Sequence, residues 1–283
     1  IICRSIEEMR GQVREWRQAG LRIGFVPTMG FLHAGHMSLV AVAAGAADRV
    51  VLSIYVNSTQ FGPGEDLDKY PRDFARDEAL CRQHGVHALF YPDNRTMYAP
   101  GHSTWVIEEG LTGTLCGRSR PGHFRGVTTV VTKLFNIVQP DVAVFGRKDA
   151  QQALVIQRLV RDLNQPVTVL VAPIVREPDG LAMSSRNAYL TADERSRAVC
   201  ISRALRAAEQ EAAGGERDAA ALGARVAAAL RAGGGRIDYV ECVSRATLQP
   251  VSRLDGPALL AVAVFFGKTR LIDNTVLDFG LAG

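Results

Sequence analysis

The run Pro27-Thr28-Met29-Gly30-Phe31-Leu32-His33-Ala34-Gly35-His36 places two imidazoles three residues apart, directly after an apolar stretch. At that spacing one helical turn brings both rings to the same side. A helix opening at Gly35 or His36 would aim backbone N–H groups and a positive dipole end at an anion. Gly35 removes a side chain where a nucleotide would approach. The chemistry expected is binding of triphosphate oxygens and stabilisation of charge developing at an α-phosphorus. Two other stretches carry matching groups. Met183-Ser184-Ser185-Arg186-Asn187 offers two hydroxyls and a guanidinium that can grip phosphate in bidentate fashion. Phe145-Gly146-Arg147-Lys148-Asp149-Ala150-Gln151-Gln152 offers an ammonium to neutralise phosphate, and Asp149 to accept from ribose hydroxyls. Gln152 is expected in the first turn of the helix that follows. Each stretch alone is a commonplace turn or surface lysine, so it is their joint presence that points to a nucleotide.

These groups need elements to place them at one sheet edge. Strands are predicted at Arg22–Pro27, Arg49–Val56, Ala88–Tyr91, Asp141–Phe145 and Val167–Val171, and the near-continuous apolar run of Arg49–Val56 marks a strand buried on both faces. Helical patterns fall between them at Gly35–Ala47, Arg72–His84, Val127–Val138 and Ala150–Leu163. This alternation predicts an α/β fold with a doubly wound, Rossmann-like parallel sheet, whose carboxyl edge binds ligands. After about Val175 the character changes. Asp193–Ala213, with Thr191 as its N-cap, and Asp218–Ala232 read as helices. Ile237–Val243, Ala258–Phe266 and Thr269–Leu277 read as strands, with Gly267-Lys268 as a tight turn. Two domains are therefore expected: a Rossmann-like one over 1–174 that binds the nucleotide and its co-substrate, and a smaller α+β lid over 175–283.

The composition of the 283 residues is that of an ordinary globular chain, 47% hydrophobic and 22% charged. A net charge of only +4 argues against nucleic acid as the main partner. No apolar run approaches the roughly 20 residues of a membrane span. The opening Ile1-Ile2-Cys3-Arg4 lacks a signal-peptide pattern, and its missing Met suits a processed or trimmed start. Five scattered cysteines form neither a CxxC pair nor a zinc-spaced cluster, so reduced structural thiols in the cytoplasm are expected.

His33 to His36 resembles the HxGH signature of the nucleotidyltransferase superfamily. Read with the two other stretches, the chain resembles the pantothenate synthetase (pantoate–β-alanine ligase) family within it. The likeness runs through Ser53-Ile54-Tyr55-Val56-Asn57 with Gln60-Phe61, Tyr70-Pro71-Arg72, and Leu115-Cys116-Gly117-Arg118-Ser119-Arg120-Pro121-Gly122-His123-Phe124-Arg125-Gly126-Val127. It continues in Lys133-Leu134-Phe135-Asn136 and Pro140-Asp141, spanning about residues 24 to 190. The resemblance implies ATP, Mg²⁺, pantoate and β-alanine as ligands, pantothenate, AMP and pyrophosphate as products, and a homodimer. It implies that His33, His36, Lys148, Ser184, Ser185 and Arg186 bind the ATP phosphates. Asp149, with backbone near Gly146, would bind ribose, and Gly35 and Met183 would lie against the nucleotide. Gln60 and Gln152, with Asn57 beside them, would hold pantoate, and Met29 would line the junction of the two ligands. No dedicated protein cage for Mg²⁺ is visible. Three positions depart from the pattern: Ser58 stands where Pro is expected, Cys116 where some members carry Glu, and Arg147 where Glu or Gln is more usual. Two rival readings remain, a nucleotidyltransferase that stops after transferring AMP or CMP to a phosphate, and a nucleotide-binding regulator without turnover. Formation of an amide product separates the first from a ligase, and pyrophosphate release separates the second.

Overall fold

The computed structural model describes residues 1–277, so the last six residues of the expected second domain lie outside the described chain. In chain order the first elements are β1 (Ile2–Cys3), α1 (Ile6–Gln18), β2 (Ile23–Thr28), α2 (Ala34–Ala44), β3 (Arg49–Ile54), α3 (Phe74–Gln83) and β4 (Ala88–Phe90). Then come α4 (Asn94–Met97), α5 (Leu115–Ser119), α6 (His123–Val138), β5 (Val142–Gly146), α7 (Ala150–Asp162) and β6 (Thr168–Ala172). The last are α8 (Ala192–Ala198), α9 (Cys200–Ala213), α10 (Ala219–Ala232), β7 (Arg236–Ser244), β8 (Ala258–Phe266) and β9 (Thr269–Leu277). The chain divides into two compact units. The first holds Ile1–Glu109, Arg120–Arg147 and Gln152–Pro173. The second holds Gly110–Ser119, Lys148–Gln151 and the chain from Ile174 onward.

The first unit carries a six-stranded parallel sheet in the order β1-β4-β3-β2-β5-β6. Its doubly wound topology follows from the sequence: β2, β3 and β5 are buried nearly throughout, as apolar strands covered on both faces must be. Val26, Leu52 and Val144 pack with Met37, Val40 and Ala43 of α2. The chain runs from β2 towards β3 on one side, and β5 flanks β2 on the other. That reversal is the topological switch point, where ligands bind at the carboxyl ends of the strands. Thr28 ends β2 and Gly146 ends β5 there.

Several features depart from the expectation: β1, α4 and α5 are unexpected short elements, β3 stops at Ile54, and three further departures have a plain local cause. Helix α1 has no counterpart among the expected elements, although Ser5 and Glu8 form a capping box and Met9, Val13 and Trp16 supply its buried face. Helix α6 begins at His123 rather than Val127, because Gly122 adopts a left-handed φ of 84° and opens the helix inside a Gly- and Pro-rich motif. The stretch expected as one helix over Asp193–Ala213 divides at Val199, whose φ of −60° and ψ of −21° tighten the backbone without leaving helical space.

In the second unit β7, β8 and β9 form an antiparallel sheet, and Gly267 makes the β8–β9 turn with a φ of 56°. Leu205, Ala208, Leu222, Val226 and Leu230 of the two long helices pack with Leu260, Val262 and Val264 of β8. All five cysteines are free thiols. Among the described residues no helix is long and apolar enough to cross a membrane.

Candidate active site

The loop after β2 is shaped by backbone. Gly30 has a φ of 85°, and a Cβ there would stand 2.9 Å from Ile54 Cγ2. Phe31 follows with a left-handed φ of 49°. Consecutive N–H groups of Phe31 and Leu32 donate to the two carboxylate oxygens of Asp77, each at 2.7 Å. His33 then caps α2. Its Nδ1 accepts from Gly35 N at 3.1 Å, while its own N–H donates to His36 Nδ1 at 3.3 Å, a capping box built from two imidazoles. The helix therefore starts at Ala34, not at Gly35 or His36 as expected. The Gly35 N–H, expected to face a phosphate, is occupied by His33. The gain is chemical. With both Nδ1 atoms accepting, the proton of each neutral ring sits on Nε2, as a donor. The rings lie 4.1 Å apart between centroids, so the two Nε2–H groups belong to one small patch.

Met29, Asn57 and Gln60 also come together in the first unit. Gln60 ends the short 3₁₀ turn Ser58–Gln60 and is buried. Its Nε2 points at Met29 Sδ, 3.2 Å away, and its Oε1 accepts from Asn57 Nδ2 at 3.1 Å. Asn57 Nδ2 is shared with the Gly126 carbonyl at 3.1 Å. Gly126 must be glycine, since a Cβ there would meet Thr59 O at 2.5 Å. The Gln60 carbonyl receives His123 Nδ1 at 2.9 Å and Arg120 Nη2 at 3.3 Å. Arg120 is in turn gripped by Glu65 through two bonds of 2.7 and 2.6 Å. Burial works to raise the Glu65 carboxyl, and Arg120 overcomes it, leaving the group below its ordinary range. In the sequence, Arg120, His123 and Gly126 stand only as part of a motif. Here they fix the backbone that carries Gln60. Gln152 lies partly buried at the start of α7, and Gly146 closes β5.

The remaining expected residues belong to the second unit. Lys148 Nζ pairs with Asp149 Oδ2 at 3.1 Å, and Asn274 Nδ2 of β9 holds the Lys148 carbonyl at 2.9 Å. Gln151, beside the expected Gln152, has a role the sequence did not disclose. Its buried amide donates to the Leu111 and Thr114 carbonyls and accepts from Cys116 N, each at 2.9 Å, which ties the 110–119 segment to the 148–151 segment. Arg176 to Met183 forms a small hairpin: Glu177 N donates to Leu181 O, Gly180 N to Glu177 O and Met183 N to Val175 O. Ser184 then caps the 3₁₀ turn Ser185–Tyr189 by accepting from Arg186 N at 3.2 Å, and Ser185 is buried. Asn187 ties the turn back to Glu177 and to the Ala182 carbonyl at 2.9 and 3.1 Å.

The Pantoate-beta-alanine ligase family model matches residues 1–276. The chain belongs to the pantoate-β-alanine ligase family. The pantothenate synthetase of Pelotomaculum thermopropionicum is 55% identical over 278 residues, covering 98% of this chain and 99% of that one. That of Thermotoga neapolitana is 54% identical over 277 residues, with 98% and 99% covered. Among solved structures, pantothenate synthetase from Thermus thermophilus superposes with a TM-score of 0.91 at 45% identity, over 98% of this chain and 99% of that one. Pantoate-beta-alanine ligase from Francisella tularensis, complexed with beta-gamma ATP and beta-alanine, superposes with a TM-score of 0.82 at 32% identity, over 99% and 98%. Of the departures in this family member, Ser58 opens the 3₁₀ turn without disturbing the Asn57–Gln60 bond. Cys116 is buried, its Sγ 3.2 Å from Tyr239 OH and 3.6 Å from an Arg270 nitrogen. Arg147 is exposed.

Proposed function

We propose that this ligase uses ATP to activate pantoate and then condenses it with β-alanine, with the residues above in named roles. A pantoate carboxylate oxygen attacks the α-phosphorus of ATP in line, and pyrophosphate leaves. The amine of β-alanine then attacks the acyl carbon of the pantoyl-adenylate, loses a proton, and AMP leaves, giving pantothenate. The protein contributes position and charge rather than a covalent nucleophile. Family membership over residues 1–276 carries the reaction class. The histidine pair supports the phosphate role, since Nδ1 bonding leaves the proton of each neutral ring on Nε2, as a donor.

His33, His36, Lys148, Ser184, Ser185 and Arg186 bind the triphosphate in this reading. Asp149, which pairs with Lys148, turns to the ribose hydroxyls and releases the ammonium to phosphate. Backbone at Gly146 and Gly35 and the Met183 side chain pack against the nucleotide. Gln60 and Gln152 take the hydroxyl and carboxylate oxygens of pantoate, with Asn57 orienting Gln60. A thioether is a weak acceptor, so a pantoate oxygen displaces Met29 Sδ from Gln60 Nε2 at little cost. Among the described residues no group of three or more His, Cys, Asp or Glu stands ready to hold a metal. The donors at the phosphate end suit anionic oxygens rather than a hard cation, so Mg²⁺ would arrive on ATP rather than in a protein cage, and there it would supply neutralisation of phosphate charge. The Rossmann-like unit carries the pantoate side and the second unit acts as the lid; the second unit takes the chain from Ile174 onward, near the expected border, and also the segments Gly110–Ser119 and Lys148–Gln151, which lie before it. A homodimer is supported by β6, an edge strand with Val171 38% exposed, a ready surface for a second copy. The free thiols support a reducing, cytoplasmic location.

The test is pantoate-dependent exchange of labelled pyrophosphate into ATP, followed by AMP release on adding β-alanine. His36→Ala and Lys148→Ala are each expected to lose at least about 100-fold in exchange rate while remaining folded. Near-normal exchange in both variants would refute these roles.

A further inference from the structure

We propose that Asp77 is a positioning residue for the ligation, acting through the backbone of the loop that presents His33 and His36. It rests on the reading of that histidine pair as a phosphate site. Asp77 has no part in the chemistry above, yet it is the most committed carboxylate of the first unit. It is 1% exposed, and its two oxygens receive two successive backbone N–H groups, Oδ2 from Phe31 and Oδ1 from Leu32. Successive backbone N–H groups in a turn form a concavity that binds anions. Gly30 and Phe31 supply that conformation, and the protein fills the concavity with its own carboxylate.

The anchor behind it is firm. Asp77 sits in the first turn of α3, whose N-cap Asp73 accepts from Arg76 N at 3.1 Å. Arg76 seconds the hold: its Nη2 donates to the Leu32 carbonyl at 3.0 Å, and its guanidinium lies 4.9 Å from the Phe31 ring centre. The N–H of residues 31 and 32 and the C=O of residue 32 are thus all held from α3, and the next residue is His33, the cap of α2. Any tilt of that peptide plane passes directly to the imidazole pair, because His33 N is itself the donor to His36 Nδ1.

A carboxylate is required rather than any polar side chain. An amide keeps one acceptor oxygen but turns an NH₂ donor towards the second backbone N–H, so Asp77→Asn breaks one bond of the pair while keeping shape. Gly30→Ala attacks the same contact from the other side, since its Cβ would lie 3.1 Å from Asp77 Oδ2 and 2.9 Å from Ile54 Cγ2.

Both variants are measured in pantoate-dependent pyrophosphate exchange beside the wild type and Glu78→Gln, a neighbour on α3 whose partner is Arg82. Asp77→Asn is expected to lose about 10- to 100-fold in kcat, with the KM for pantoate little changed, as displacement of a catalytic group should do. Amide hydrogen exchange should quicken at Phe31 and Leu32 and not in the sheet. Gly30→Ala should show the same split, and it stands in if Asp77→Asn fails to fold. Glu78→Gln should match the wild type. A folded Asp77→Asn with kcat within about twofold of the wild type overturns the inference, as does a loss that appears equally in the KM for pantoate. A wild-type chain without exchange overturns the ligase reading as well, so the two failures are told apart.

Discussion

The loop over 28–36 and the loop over 176–187 are both assigned to phosphate, yet they are held in opposite ways. The first hangs on a buried carboxylate that accepts from neutral backbone N–H groups. The second is braced by guanidinium groups. Arg176 meets Asp273 at 2.6 and 3.1 Å, and Arg195 bridges Asp179 at 2.6 Å and Glu177 at 3.1 Å. Burial decides what each arrangement is worth. Short bonds in a desolvated pocket hold geometry and ignore salt, whereas charges in partial contact with water are screened and give way. The histidine loop is therefore built as fixed furniture, and the serine–arginine loop as a segment whose grip can loosen.

The contrast breaks first at Arg176, the one brace of the second loop that resembles the first. Asp273 is 1% exposed at its side chain, so Arg176→Ala leaves a buried charge without its cation. A loss of about 3 kcal/mol in urea unfolding is expected, the low end for breaking such a pair. The double variant Arg176→Leu with Asp273→Leu should lose less than the single one, because no buried charge remains. A single-variant loss under about 1 kcal/mol would place this pair among the screened contacts.

Arg195→Ala is the next test and should do less. Its guanidinium is 25% exposed and its partners more so, and a loss of about 1 kcal/mol is expected for the two pairs together. That loss should shrink between about 0.1 and 1 M salt, as the screening length falls from about 10 to 3 Å. The exchange defect of Asp77→Asn should not move over the same range. A salt-independent Arg195→Ala would erase the distinction between the two loops.

How much of this is legible in the sequence follows from what each signal depends on. Apolar runs bounded by turn residues disclose the parallel sheet, and β8 and β9 begin and end at the residues expected, because burial on a sheet is written locally in the chain. Which side chains hold the loops depends on contacts far apart in sequence. Asp77 reads as one more charge on an amphipathic helix. The signal against that reading is its spacing, since Asp77 and Cys81 lie on one face and both are buried. An acid on the core face asks for a partner, and the pattern alone does not say which. Gln151 is hidden for the same reason: one residue from Gln152, it turns inward to three backbone partners that no periodicity foretells. The helix start at Ala34 is masked because histidine is a rare cap, and the sequence offers no Ser, Thr, Asp or Asn at that position.

The finest test uses acid, because the carboxylate that anchors the first loop and one within the second are shifted in opposite directions. Burial pushes Asp77 up, against the pull of its two backbone donors, while the hydrogen bond from Arg195 pulls Asp179 down. A group lowered on folding adds stability that is present above its unfolded value of about 4 and is lost as pH falls through the folded value. The advantage of wild type over Asp179→Asn should therefore hold at neutral pH and fade only below about pH 4. For Asp77 the folded chain binds its proton more tightly than the unfolded chain does. Compared with Asp77→Asn, wild-type stability should fall as pH rises from about 4 to the raised folded value, and level off above it. Denaturant unfolding of the wild type and both variants across that range gives the two slopes directly. Slopes of like direction would mean that the Asp77 carboxylate is stabilised by its N–H donors more than it is penalised by burial, and the first loop would then be held in the same way as the second.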